Sequence, residues 1–289
     1  MRARRRWQPV VKVCWVTAAA LAVGAAVAPR PAAAQVSIEA SPLRVEVQAL
    51  PGGSNTQSVT LTNVGTQPVR VRASLADWYL SRDGAPQFEE PGPARAFTAS
   101  DWVRFAPPEF IIEGGRQGTV RFTVTVPQST EAAGYRTGLL FDFMPNDPDG
   151  AVRAKQVTVR SRIATLIYVH VAQAGGQAGQ AGQPPAAVEL TDLQVRTREQ
   201  TEVVATLKNV SRRSVRTKGT MVLYDKSGAV VRQVPVPDVP ILPESERDVA
   251  VSTGESTDAL PPGDYRVELK IDVGQTAVIV GETTLKVDR

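Results

Sequence analysis

The chain has 289 residues, with 33 Lys+Arg against 29 Asp+Glu for a formal charge of +4, and only one His and one Cys. His170 and Cys14 are too few to assemble a His/Cys metal centre or a Ser-His or Cys-His catalytic set, so no metal, no cofactor and no enzymatic site is expected. The length is enough to bury sizeable cores without disulfide staples.

In chain order, Arg2, Arg4, Arg5, Arg6 and Lys12 lead into an apolar run from Val13 to Ala28, and Ala32 and Ala34 precede Gln35. That is the layout of a secretory signal peptide, assigned here to residues 1–34. The apolar run falls short of the roughly 20 residues a spanning helix needs, so no membrane span is expected after cleavage. The expected location is periplasmic or secreted, in a bacterial cell envelope. The leader holds six of the 33 bases and no acids, which leaves 27 against 29 in the mature chain. The basic excess therefore belongs to the leader, and no nucleic-acid partner is implied. Cys14 lies in the leader too, so the mature chain carries no thiol.

The mature chain alternates apolar and polar residues with a period of two. In 119–127 (TVRFTVTVP), Val120, Phe122, Val124 and Val126 share one face, and Arg121, Thr123 and Thr125 share the other. Val59 with Leu61, Val69 with Val71, and Val267 with Leu269 and Ile271 repeat the pattern. This predicts half-buried antiparallel strands. Pro51-Gly52-Gly53, Asp83-Gly84, Gly114-Gly115, residues 146–150 (NDPDG), Ser227-Gly228 and Pro262-Gly263-Asp264 mark the turns between them. The stretch 172–187 (AQAGGQAGQAGQPPAA) has no charge and no large apolar residue, and reads as a flexible linker. The predicted fold is all-β: two tandem Ig-like β-sandwich domains, 35–171 and 188–289, joined by this Gly/Ala/Gln-rich linker.

An internal echo supports two similar domains. Residues 61–70 (LTNVGTQPVR) and 207–216 (LKNVSRRSVR) share Leu, Asn, Val, Val and Arg at the same spacing. Further matches pair 110–113 (FIIE) with 241–244 (ILPE), and Tyr135-Arg136 with Tyr265-Arg266. The extra length of the first domain is assigned to 79–101. Asn63 and Asn209 are then turn formers at matching strand–turn–strand joints.

Other sites for chemistry are weak. His170 reads as a structural or solvent-facing imidazole, and 146–150 as a hairpin turn without the spaced ligands of a calcium loop. Glu89-Glu90 reads as a solvated pair on a Pro-rich loop. Trp78 and Trp102 each follow an Asp; they read as core residues, with a ligand-stacking role as the competing assignment.

The segment 155–171 (KQVTVRSRIATLIYVHV) is the strongest candidate for binding. It runs without Gly or Pro for far longer than the usual strand of about five or six residues. A long apolar edge invites aggregation unless it serves strand addition to a partner. Val157, Val159 and Ile163 are its candidate partner-binding apolar residues. Arg160 and Arg162 are either charges that blunt the edge or anchors for a partner's carboxylate.

The elements 36–47 (VSIEASPLRVEV), 58–63 (SVTLTN), 102–124 (WVRFAPPEFIIEGGRQGTVRFTV), 134–145 (GYRTGLLFDFMP) and 161–168 (SRIATLIY) occur in an order that resembles the N-terminal domain of periplasmic pilus-assembly chaperones, the PapD-like family. The resemblance implies an Ig-like sandwich that lends its long last strand to a pilin-like subunit, with a paired Arg and Lys holding the subunit's C-terminal carboxylate. Arg44 matches the family's Arg. The expected Lys falls at Ala164 or Thr165, which cannot bind a carboxylate ionically, and Arg162 stands two or three positions away. The Asp-Trp before an apolar strand, with the later Gly-x-Tyr-x-x-Gly-Leu-Leu pattern, is also similar to Ig-like cell-surface proteins of the WxL-interacting type. That similarity implies an envelope adhesion or scaffold protein that binds wall polymer or protein.

Overall fold

The computed structural model describes residues 37–92, 96–145, 161–173, 184–197, 201–253 and 260–287. Residues 1–36 (the expected signal peptide among them), Val157, Val159, Arg160, the expected turn at 146–150 and most of 172–187 lie outside the described residues. Those described form two all-β sandwiches, each around its own apolar cluster.

The first sandwich has one sheet of β1 (Ile38–Ser41), β3 (Ser54–Asn63), β8 (Gln117–Thr125) and β6 (Val103–Ala106), in that spatial order. The facing sheet runs β2 (Arg44–Ala49), β10 (Ser161–Val171), β9 (Ala133–Pro145), β4 (Val69–Leu80) and β5 (Pro86–Glu89), with β7 (Glu109–Ile112) also on β4. The alternation dictates this packing. Val120, Phe122 and Val124 of β8 are buried, as are Val45, Val47 and Ala49 of β2, while Arg121, Arg44 and Glu46 face solvent. The chain crosses from one sheet to the other at Pro42-Leu43, so a single N-terminal segment edges both.

The second sandwich repeats this plan. β11 (Val188–Thr197), β12 (Thr201–Asn209) and β17 (Glu246–Ser252) correspond to β1, β3 and β8. The sheet of β15 (Val230–Pro235), β14 (Lys218–Tyr224), β18 (Gly263–Asp272) and β19 (Ile279–Val287) corresponds to β5, β4, β9 and β10. The short pair β13 (Val215–Arg216) and β16 (Pro240–Ile241) matches the contact of β4 with β7.

The repeated ten residues are the same joint made twice. Leu61 and Leu207 are buried, Val64 and Val210 are exposed, and Val69 and Val215 are buried again. Asn63 Nδ2 donates to the carbonyls of Gln67 (2.8 Å) and Ile112 (3.0 Å), and its Oδ1 accepts from Gly65 N–H at 3.0 Å. Asn209 Nδ2 donates to Arg213 O (2.7 Å), Ile241 O (3.2 Å) and Leu242 O (3.0 Å), while its Oδ1 accepts from the N–H and hydroxyl of Ser211. Each buried amide thus staples the turn after β3 or β12 to the strand that follows much later in the chain. Tyr135 and Tyr265 also match, each hydroxyl donating to the carbonyl four residues upstream.

One expectation is corrected. The asparagines bond Ile112 and Ile241, so these are the equivalent positions and Glu113 does not correspond to Glu244. The extra length of the first sandwich follows β5, within the later part of the expected 79–101 and on into β6. The β4–β5 hairpin has a counterpart in β14–β15, and the additions are a 3-10 turn (Ser100–Trp102) and β6. Asp77 holds this added stretch down: it is 2% exposed and accepts from Gly92 N–H at 3.0 Å and from the Thr98 and Ser100 hydroxyls.

Candidate functional site: the outer edge of β10

β10 pairs antiparallel with β9 along its whole length, from Ser161 opposite Phe143 to Val171 opposite Ala133. On its other side it pairs in parallel with β2, but only from Leu166, opposite Arg44, to Val171, opposite Ala49. Leu166 N–H donates to Leu43 O at 2.8 Å, and Ala172 N–H to Ala49 O at 3.0 Å. Thr165 Oγ1 donates to Pro42 O at 3.0 Å and closes the junction. Among the described residues, no strand is hydrogen-bonded to Ser161–Thr165 on this side. Backbone groups alternate along a strand, so those of Arg162 and Ala164 share the outward direction of Leu166 N–H. Those of Ile163 and Thr165 turn toward β9.

The side chains sort the same way. Thr165, Ile167, Val169 and Val171 are buried in the core, and Ile163 is half-buried against it. Arg162, Ala164, Leu166, Tyr168 and His170 form the opposite face. Leu43, 56% exposed, stands where β2 stops covering β10.

Arg162 is engaged. Its Nε and Nη2 donate to the two carboxylate oxygens of Asp142 at 2.7 and 2.9 Å, and the hydrogen bond raises its pKa. This is a cross-strand pair on β9–β10, worth about 0.5 kcal/mol at its exposure. Among the described residues, Arg44 is the other cation beside the open stretch. Arg44 lies on β2 directly opposite Leu166, with its guanidinium 4.6 Å from the centre of the Tyr168 ring and an ion pair to Glu46. Ala164 is half-buried and Thr165 fully buried, so no second cation occupies either position. His170 is 3.8 Å from Glu46; burial pushes its pKa down, against the raising effect of Glu46.

The tryptophans do not make one stacking surface. Trp78 is 1% exposed and closed in by Tyr168, edge-on at 5.3 Å, and by Leu242 of the second sandwich. Neither face of its ring is open to a ligand, which corrects the stacking assignment for this residue. Trp102 is half-buried, packs on the core of the first sandwich and lies 4.5 Å from the Tyr135 ring.

Leu43, Asp142, Tyr168 and Leu242 were not singled out from the sequence. Leu43 and Asp142 acquire their roles through strand register, and Leu242 through a contact between sandwiches; the alternation encodes neither.

No family model matches the chain, and no curated protein matches it. Among solved structures it is similar to the YadV chaperone, with 16% identity, 86% of this chain and 99% of that chain covered, and a TM-score of 0.43. It is similar to the CsuC–CsuE chaperone–tip adhesion subunit pre-assembly complex of Acinetobacter baumannii, with 17% identity, 75% and 91% covered, and a TM-score of 0.41. It is also similar to the Salmonella enterica SafA pilin in complex with the SafB chaperone, with 14% identity, 89% and 99% covered, and a TM-score of 0.41.

Proposed function

We propose that the protein is an exported, non-enzymatic binding protein of the pilus-chaperone kind, which takes up an extended segment of a partner polypeptide by β-strand addition at Ser161–Thr165 of β10. A pilin-like envelope subunit is the partner class. The observation that carries this reading is the half-covered edge: among the described residues, β10 is paired on both sides from Leu166 onward and on one side before it. A strand laid beside Arg162 and Ala164 would satisfy their outward N–H and C=O groups. It would also cover Ile163 and Leu43. Arg44, opposite Leu166, would exchange its Glu46 partner for a carboxylate that ends such a strand.

Ala164→Pro tests the reading. Proline removes an outward N–H and is tolerated on a free edge, so the fold should lose less than about 1 kcal/mol. The mature variant, isolated from the envelope fraction, should lose the polypeptide that co-purifies with the parent protein. Equal retention by a folded variant would rule out addition at this edge. Arg44→Ala should weaken retention about tenfold or more, the scale of one charge-assisted hydrogen bond. A partner held equally by both proteins would remove Arg44 from the site.

A further inference from the structure

The connecting sequence 172–187 consists of Ala, Gln, Gly and Pro alone, a composition that does not by itself orient two domains. Among the described residues, the sandwiches nevertheless meet at three places or more. Leu242, 1% exposed, seats on Trp78 of β4 and Tyr168 of β10. Gly134 N–H donates to Arg212 O at 2.7 Å, and the Arg212 side chain pairs with Glu131. The third point lies at the tip of the β4–β5 hairpin. There Arg82 O accepts from Asp248 N–H of β17 at 2.7 Å, and Arg82 Nη2 reaches Asp248 Oδ1 at 3.2 Å and Thr206 Oγ1 at 3.3 Å.

The tip is shaped for this contact. Asp83 accepts from Ser81 Oγ and Ala85 N–H, and Gly84 turns with φ of +91°. The φ of Gly84 favours glycine at the tip, and a Cβ there would lie 1.9 Å from Cζ of Arg247, the movable end of a β17 side chain. Asp248 is already held by Thr206 Oγ1 at 2.8 Å and Arg196 Nη2 at 3.4 Å, so Arg82 meets a carboxylate fixed in place. Asp248 N–H points away from β12, and the hairpin therefore covers part of the outer edge of β17.

We propose that the β4–β5 hairpin is a strap that locks the second sandwich onto the first. With Leu242 as pivot, the Arg82–Asp248 contact removes the remaining rotation, and the second sandwich braces the outer face of β10 at Tyr168. The strap is independent of whether a partner binds the β10 edge.

The mature chain has no cysteine, so nitroxide labels can be placed at Ser58→Cys on the first sandwich and Thr284→Cys on the second, both exposed. Electron–electron distance measurement should give one narrow distribution for the parent and for Arg82→Lys. Arg82→Glu sets a carboxylate against Asp248 and Glu246 and should broaden the distribution at least about twofold, toward the mobility usual for linked domains. A far-ultraviolet circular dichroism spectrum like the parent's would show that both sandwiches remain folded. An Arg82→Glu distribution as narrow as the parent's would overturn the strap, as would a parent distribution already broad.

Discussion

Asn209→Ala is expected to destabilise the second sandwich by about 3 kcal/mol or more. The amide is wholly buried and serves three carbonyls as donor, and its oxygen serves two Ser211 groups. Alanine leaves those partners buried without replacements, and an unmade buried hydrogen bond costs about 1–3 kcal/mol. Asn63→Ala removes a smaller set of two carbonyls and one N–H, so its cost should be nearer about 2 kcal/mol. Asn→Asp at either site should be no milder, because a carboxylate cannot donate to the carbonyls. The two sandwiches can be followed separately in a protein of residues 35–289, whose tryptophans are Trp78 and Trp102, both in the first. Denaturant unfolding followed by Trp fluorescence should shift for Asn63→Ala, and backbone circular dichroism should report the larger shift for Asn209→Ala. Equal, small shifts would mean that the joints do not depend on these amides.

Trp78→Ala should be the most damaging single change in the first sandwich, at about 3–5 kcal/mol. The ring is 1% exposed, edge-on to Tyr168 and in contact with Leu242, so its loss opens a cavity between β4, β10 and the second sandwich. Its indole N–H is buried without an acceptor among the described residues, so Trp78→Phe gives up no hydrogen bond and should cost far less than the alanine change. Calorimetry on the three proteins checks both the size and the order. An alanine variant as stable as the parent would show that the contact between sandwiches contributes little.

The strands were legible because each needs only its own residues. Val120, Phe122 and Val124 alternate into the core whatever lies opposite them. The repeated Asn joint was legible as a repeat, and its structural role followed from residue type. What pairs with what was not legible, because period-two alternation is satisfied equally by several registers. Arg162 is free in the sequence and bound to Asp142 in the structure for that reason. The equivalence of Glu113 and Glu244 failed likewise, since hydrogen bonding rather than acid identity sets the correspondence at Ile112 and Ile241. Tyr168 and Leu242 each fit the pattern of their own sandwich. Only their proximity shows that together they close over Trp78.

The edge itself was half legible. Its length and lack of Gly and Pro marked β10, but where β2 stops beside it depends on the crossing at Pro42-Leu43. Amide hydrogen exchange, read residue by residue, tests this edge most directly. In the free protein Ile163 and Thr165 should be protected by β9, while Arg162 and Ala164 exchange fast. On addition of a pilin-like polypeptide that the protein retains, Arg162 and Ala164 should become protected. Fast exchange at both with the partner bound, or protection at both without it, would contradict strand addition at β10.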